Sequence, residues 1–412
     1  MANATATPAE KSRALTVAEA LARILENVTP VAAETVAIEE AHGRVLAAPL
    51  MARLTQPPFD ASAMDGYAVR AADIQSIPCA LRLVGESAAG HPFSGTLGPG
   101  EAVRIFTGAP IPAGADAVVI QENTAREGDI VRVVEGQADR DHIRPRGNDF
   151  AAGDELLGPG RLLGPRELSL AAAMGHGALA VRRRPRVGVL ATGDELVAPG
   201  ETPGIGQIVA SNHLGVADLA RRAGADVRFL GIARDTRESL DAHIAKAADC
   251  DILVTIGGAS VGDHDLVGPA LKARGLSLSF WKIAMRPGKP LMFGALGEQR
   301  VMGLPGNPVS ALVCARVFLV PLISALLGRP PKAETARAAR TTARIAANGP
   351  RTHYMRGITS TAADGTLEVT PVPSQDSSLL SPLARADVLI VHEANAAAVA
   401  PGGTVTVLPL DM

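Results

Sequence analysis

The sequence predicts a multidomain protein of α/β plus β type. It reads as a doubly wound sheet domain, a β-rich domain inserted into an interrupted mixed domain, and a C-terminal β-barrel or sandwich. Three observations predict this. Apolar runs alternate with amphipathic stretches between residues 185 and 331, short β-type runs broken by Gly and Pro fill 59–149 and 332–412, and 412 residues suit two to four domains at roughly 100–200 residues each.

Taken in order, residues 1–14 are small and polar and are expected to be disordered. From Thr16, VAEALARIL puts Val17, Ala20, Leu21 and Leu25 on one face of a short helix capped by the threonine. Gln56-Pro57-Pro58 then breaks the chain. ALRLVGESAAG, EAVRIFTGAPIPAGADAVVIQE and DIVRVVEG supply strands of the inserted domain, 59–149. The interrupted domain, 15–58, resumes over 150–184 with a helix around Glu167–Met174. After the basic hinge Arg182-Arg183-Arg184-Pro185, RVGVLATG is a buried strand and Ser211 opens a helix. DVRFLGIARD is the next strand, Thr236–Ala248 the next helix, and DILVTIGG a further strand. PGNPVSALVCARVFLVPLISALLG is a long buried helix closed by Gly328. Arg329-Pro330-Pro331 is a linker, and TLEVTPVP, ADVLIVHE and GGTVTVLPL are strands of the last domain.

Composition narrows the function. Hydrophobic residues make up 47 % but aromatics only 3 %, so aliphatic side chains must fill the cores. The 42 Gly and 30 Pro, about one residue in six, predict many turns. Forty basic against 42 acidic side chains leave no global field for nucleic acid or a membrane surface, so an anionic substrate must be met by local charge. Cys79, Cys250 and Cys314 follow neither a disulfide nor a zinc spacing. Neither a signal-peptide core nor an apolar run of about 18 residues is found. The expectation is a soluble protein of the reducing cytoplasm.

Several segments can carry chemistry, each beside a plainer alternative. In FDASAMDGYAV, Asp65 faces an active site or belongs to an Asp-Gly turn. In RIFTGAPIPAGADAVV, Thr107 offers a hydroxyl to an anion or sits in a β-turn. IRPRGNDF places Arg144 and Arg146 as an anion patch or a solvated loop. ATGDEL follows a buried strand directly, so Asp194 and Glu195 sit at the sheet's ligand edge, suited to Mg²⁺ or to a helix N-terminus. TIGGASVGDHDLV repeats that geometry: Gly257, Gly258 and Gly262 free N–H groups for phosphate, and Asp263 and Asp265 are hard-metal ligands, while His264 reads as exposed. KIAMRPGKPLMFG sets Lys282, Arg286 and Lys289 around a Pro-Gly turn, a small oxyanion site or a surface loop. VMGLPGNPVSAL uses Pro305 and Pro308 to rigidify the entry to the long helix, whose first N–H groups and Ser310 can meet an anion. No GxSxG, Walker or GxGxxG pattern occurs, which removes the common hydrolase, ATPase and dinucleotide readings.

In this order the segments resemble the signature set of the MoeA and gephyrin E-domain family of molybdopterin molybdenumtransferases, over nearly the whole chain. The resemblance implies an enzyme that inserts molybdate into adenylylated molybdopterin with release of AMP. It implies a Mg²⁺ cofactor, a cytoplasmic homodimer, and contacts with the adenylyltransferase and with cofactor-accepting proteins. Residue by residue, it makes Asp65, Thr107, Glu195, Asp235, Asp265, Lys282 and Arg286 catalytic, with Asp65 and Thr107 reaching in from a partner subunit. Glu195 and Asp265 are the implied metal ligands. Gly257, Gly258, Ser260, Pro305 and Pro308 become substrate-binding, as do Lys289, Ser310, Arg356 in HYMRG and Ser377 in SQDSSL. Many members have Lys where Arg286 stands; arginine keeps the charge and changes its reach. The alternatives are a molybdopterin adenylyltransferase and a non-catalytic pterin-binding scaffold, and AMP release separates the scaffold from the enzyme.

Overall fold

The structure, a computed structural model, describes residues 14–136, 140–258, 266–329 and 336–410. The disorder expected for 1–14 and the linker at 330–331 therefore fall, but for Ala14, outside the described residues. The chain divides into two compact units. One holds residues 35–42 and 48–179; the other holds, of the described residues, those up to 34, 43–47 and those from 180 onward.

In the larger unit, six strands stand in the order Asp226–Ala233, Arg186–Thr192, Ile252–Ile256, Gln299–Leu304, Met292–Leu296, Ser277–Phe280. The first four are parallel. Arg186–Thr192 is buried from Val187 onward and Ile252–Ile256 throughout, as covered parallel strands require. Met292–Leu296 runs antiparallel to Gln299–Leu304, and Ser277–Phe280 antiparallel to Met292–Leu296, so the doubly wound sheet is mixed. The extension comes from a hairpin whose tight turn, Gly297-Glu298, joins Leu296 to Gln299, with Gly297 at φ +60°.

Helix termini follow local chemistry. Thr16 and Glu19 form a reciprocal capping box before Val17–Leu25, which buries Ala20 and Ile24. Thr236 accepts from the Ser239 N–H at the start of Arg237–Ala245. Pro308 opens the long helix at a position where a missing N–H costs nothing. That helix runs α over Pro308–Cys314, π over Ala315–Leu319 and α again over Val320–Leu326. Pro321 has no N–H to continue the ladder, and the wider turn before it accommodates the ring. Pro308–Leu326, at 19 residues and mean hydropathy 2.2, is long and apolar enough to cross a membrane by length and composition, although Ser310, Arg316 and Ser324 interrupt its apolar run. With 78 % of its apolar stretch buried inside the protein, it is the axis of the main core.

The hinge at Arg182–Pro185 is pinned: Arg183 forms a bidentate fork to Asp251 at 2.6 and 2.7 Å, and Arg182 donates to the Val31 carbonyl at 3.0 Å. The C-terminal segment closes as a five-stranded barrel, Thr352–Thr361 pairing with both Leu367–Pro371 and Val388–His392. The short strand Met285–Arg286 joins this barrel alongside Thr352 and His353, tying a loop of the sheet to the barrel wall.

The second unit is built on a six-stranded sheet, Glu101–Ile105 and Cys79–Ser87 at its centre, with separate apolar clusters. The flanks 48–58 and 150–179 belong with it because they pair with each other, Leu50–Met51 with Glu155–Leu157 and Gln56 with Phe150. The contact boundary accordingly lies outside the 59–149 insertion expected from texture.

Candidate functional site

Two cavities adjoin in the larger unit. The first, about 360 Å³, lies at the carboxyl ends of Arg186–Thr192 and Ile252–Ile256, where open α/β sheets bind ligands. Thr192, Ile256 and Gly257 line it, with Ile208–His213 at one side and Gly306, Asn307, Pro308, Ser378 and Leu380 at the other. Gly257 has φ +97°, and a Cβ there would stand 2.5 Å from the Thr192 carbonyl oxygen, so only glycine lets the strand ends approach this closely. Asn212 Nδ2 donates to the Gly306 carbonyl at 2.6 Å and locks the wall to the helix entry.

Glu195 lies on this cavity, exposed. Asp194 Oδ1 accepts the Asp235 N–H at 3.1 Å. The Asp235 carboxyl titrates above the usual carboxylate range: desolvation penalises its charge first, and the Asp194 and Glu195 carboxylates add repulsion. His213, which sequence reasoning missed, is buried in the wall. Its ring stacks on Phe229 at 4.1 Å, and burial holds its pKa below the ordinary value.

The second cavity, about 490 Å³, is lined by Met285–Pro290, Asn307, Ser310, Arg351 and Gln375–Ser377. Arg286 and Lys289 enter it as expected from the sequence, and so do Ser310 and Ser377. Lys282 lines neither cavity; its carbonyl accepts from the Leu15 N–H at 3.3 Å. Pro305 is buried beneath the helix entry, and Pro308 and Gly257 face the first cavity. The helix entry is less free than expected, because Val309 N–H already donates to the Ser377 carbonyl at 3.1 Å. Asn307 Nδ2 donates to Ser377 Oγ at 3.2 Å.

Arg356 is placed under the cavity rather than in it. It is 1 % exposed, and its guanidinium donates to the carbonyls of Leu379 at 3.0 Å, Ser374 at 2.9 Å and Asp376 at 3.0 Å. It therefore holds the loop 374–379, which lines both cavities. Asp376 accepts from the Ser378 N–H and hydroxyl, which keep its carboxyl below the usual range, helped by Arg356. His353 pairs with Arg286 across the strands. Burial first, then the Arg286, His392, Arg351 and Arg356 charges, push its pKa down to about 4.

The expected loop residues Ser260, Asp263, His264 and Asp265 lie outside the described residues; Gly258, described, has φ +59° and lines neither cavity. Among the described residues no three His, Cys, Asp or Glu side chains group as metal ligands. In the other unit, Asp65 Oδ1 accepts both the N–H and the hydroxyl of Thr107 at 2.8 Å. Those bonds, with Arg104 contributing last, hold the exposed carboxyl below its usual range. Thr107 thus donates to Asp65 rather than to an outside anion. Asp60 Oδ1 likewise accepts the Arg146 N–H at 2.7 Å.

Comparison with known proteins agrees with this architecture. Residues 15–175 match the MoeA N-terminal region (domain I and II), 188–325 a probable molybdopterin binding domain, and 338–410 the MoeA C-terminal region (domain IV). A molybdopterin molybdenumtransferase of Haemophilus influenzae is 37 % identical over 401 residues, 96 % of this chain and 99 % of its own. Molybdopterin molybdenumtransferase 2 of Mycobacterium tuberculosis is 36 % identical over 334 residues, covering 79 % and 82 %. A crystal structure of the molybdopterin biosynthesis MoeA protein of Pyrococcus horikoshii superposes with a TM-score of 0.83 at 30 % identity, covering 97 % of this chain and all of that one. Matched region after region and aligned end to end with curated relatives, the chain belongs to the MoeA family of molybdenum-cofactor biosynthesis.

Proposed function

We propose that this chain is a molybdopterin molybdenumtransferase that inserts molybdate into adenylylated molybdopterin and releases AMP. The observation that carries the reading is the pairing of cavities. One, largely apolar with a carboxylate edge, suits a heterocycle and its phosphates; the other, cation-lined, suits a small oxyanion; and Asn307 and the loop 374–380 wall both. The relatives' printed activity and the end-to-end match support the transferase over the adenylyltransferase and scaffold alternatives.

Molybdate is a dianion and the pterin dithiolene is electron-rich, so the two repel in water. Arg286 and Lys289 neutralise the oxyanion, and the Ser310 hydroxyl donates to it. Held close, oxo ligands exchange for the two pterin sulfurs, the displaced oxygens leave as water with protons taken from the thiols and from solvent, and hydrolysis of the phosphoanhydride releases AMP. Positioning is the main contribution of the protein, and no protein nucleophile is required.

The acidic corner fits a divalent cation. Mg²⁺ takes one or two carboxylates and completes its shell with water and phosphate oxygens, and Asp194, Glu195 and Asp235 crowd negative charge that a cation would relieve. Glu195 and Asp235, with Asp265, would hold it, and when bound it offsets phosphate charge. The reading includes a cytoplasmic homodimer in which Asp65 and Thr107 of one subunit serve the cleft of the other. Free thiols at Cys79, Cys250 and Cys314 support a reducing compartment. Contacts with the adenylyltransferase and cofactor-accepting proteins belong to the same reading.

The test is AMP release from adenylylated molybdopterin, with and without molybdate and Mg²⁺. Release that requires both supports the proposal, and binding without turnover under any metal oxyanion overturns it.

A further inference from the structure

His213 lines the first cavity while only 6 % exposed. Its Nδ1 is sealed from solvent and unbonded, and nothing among the described residues bonds its Nε2. Buried polar side chains are nearly always paired, so a bare imidazole in a cavity wall calls for a reason. Its ring stacks on Phe229, 4.1 Å away and 17° from parallel, which fixes the ring plane and supplies no polar contact. One face is thus covered, and so slight an exposure leaves no second face for a heterocycle. The contact His213 can make is through its edge.

The backbone beside it is also unengaged. Ser211, Asn212 and His213 follow one another along the cavity wall and open the 11-residue helix Asn212–Arg222. Ser211 stands at the N-cap and makes no side-chain bond to the helix, so the first-turn N–H groups are uncapped. Asn212 Nδ2 is committed to the Gly306 carbonyl. Donors left open at a helix start suit an anion. Burial keeps the imidazole neutral, with a single N–H. A proton on Nε2 leaves Nδ1 as an unpaired acceptor, a less costly orphan than a buried N–H. Nε2–H is then the donor a ligand can meet, and it adds no charge of its own.

We propose that His213 is a phosphate-recognising residue, its Nε2–H acting with the first N–H groups of Asn212–Arg222 on a phosphate of the nucleotide part of the substrate. The proposal rests on the first cavity being the nucleotide site. The ligand supplies the partner that the protein withholds from the ring.

Calorimetric titration of the full-length protein with AMP and with adenosine, each in Mg²⁺, tests it, with thermal unfolding run in parallel. The wild type should bind AMP more tightly than adenosine. His213→Phe keeps an aromatic ring on Phe229 and removes both nitrogens. It should weaken AMP about tenfold, leave adenosine within about twofold, and hold or raise the unfolding midpoint, because the orphaned Nδ1 is gone. His213→Gln, whose amide can reach the place of Nε2, should keep AMP within about threefold of the wild type. Equal weakening of AMP and adenosine, or no recovery in His213→Gln, overturns the phosphate contact. A lowered midpoint in His213→Phe with AMP affinity kept marks a structural histidine and overturns it too. Should the wild type bind neither AMP nor adenosine, the nucleotide assignment of the cavity falls, a result distinct from these.

Discussion

Replacing Arg356 by methionine keeps much of the side-chain volume and removes every donor. Three acceptors, the carbonyls of Ser374, Asp376 and Leu379, then lose a charged partner, and the bond of Arg356 Nε to Gln375 Oε1 at 3.4 Å goes as well. An orphaned buried acceptor costs about 1–3 kcal/mol, which sets an upper limit near 9 kcal/mol. The loop can swing outward and let water replace the guanidinium, so the expected destabilisation is about 3–5 kcal/mol, the range for breaking a buried charged network. Loop opening also withdraws the Ser377 carbonyl from Val309 N–H and the Ser377 hydroxyl from Asn307. Urea unfolding gives the free-energy change, and hydrogen exchange reports locally. Amides of 374–379 and the Val309 amide should lose protection while those of Ile252–Ile256 keep theirs. A loss below about 1 kcal/mol with unchanged exchange at Val309 would refute the claim that Arg356 holds the loop.

Gly288 has φ +106°, and a Cβ on it would lie 2.4 Å from Cys314 Sγ in the long helix, so Gly288→Ala should cost about 2–4 kcal/mol and weaken molybdate binding by shifting Arg286 and Lys289. Thermal unfolding of the double variant with Cys314→Ala should recover the steric part, and strict additivity would count against the contact. His353 titrates near 4 when folded against an ordinary 6.5, so the unfolded chain binds more protons in between. Its contribution to stability is complete above pH 6.5 and is lost as pH falls toward 4, by at most about 3 kcal/mol; His353→Gln should flatten that window in a pH series of urea midpoints. If each cleft uses Asp65 from one subunit and Arg286 from the other, Asp65→Ala and Arg286→Ala proteins are each inactive alone. Mixed and re-equilibrated, they should return about a quarter of wild-type AMP release, since half of a random mixture is heterodimer with one intact cleft. No recovery despite demonstrated subunit exchange would place both residues in the same subunit's site.

Much of the fold is legible because it is written in local chemistry. Thr16, Thr236 and Pro308 mark helix starts through their own backbone and side-chain bonding, and Gly328, at φ +69°, closes the long helix. Gly257 marks a strand end that must approach its neighbour. The hairpin at Gly297-Glu298 was also within reach, since a glycine between two apolar runs is a turn signal. The burial of Arg356 beneath the cavity was not, because nothing local says which face of Thr352–Thr361 meets the cavity. His213 is illegible for a similar reason: its burial depends on Phe229, a strand away.

The main apolar core gathers Leu15, Ala20 and Ile24 with Leu389 and Leu408, while residues 48–179 form the other unit. On a ribosome the intervening unit is complete about 230 residues before the last strand emerges, an interval of roughly 10–45 s at ordinary elongation rates. Throughout that time the opening helix has an apolar face and only part of its core. Newly made chains should therefore pass through a state with one finished unit and an exposed amphipathic N-terminal segment, a species that chaperones recognise. Mutations in the barrel would then show their first effect as lost yield during synthesis, before any effect on the cleft.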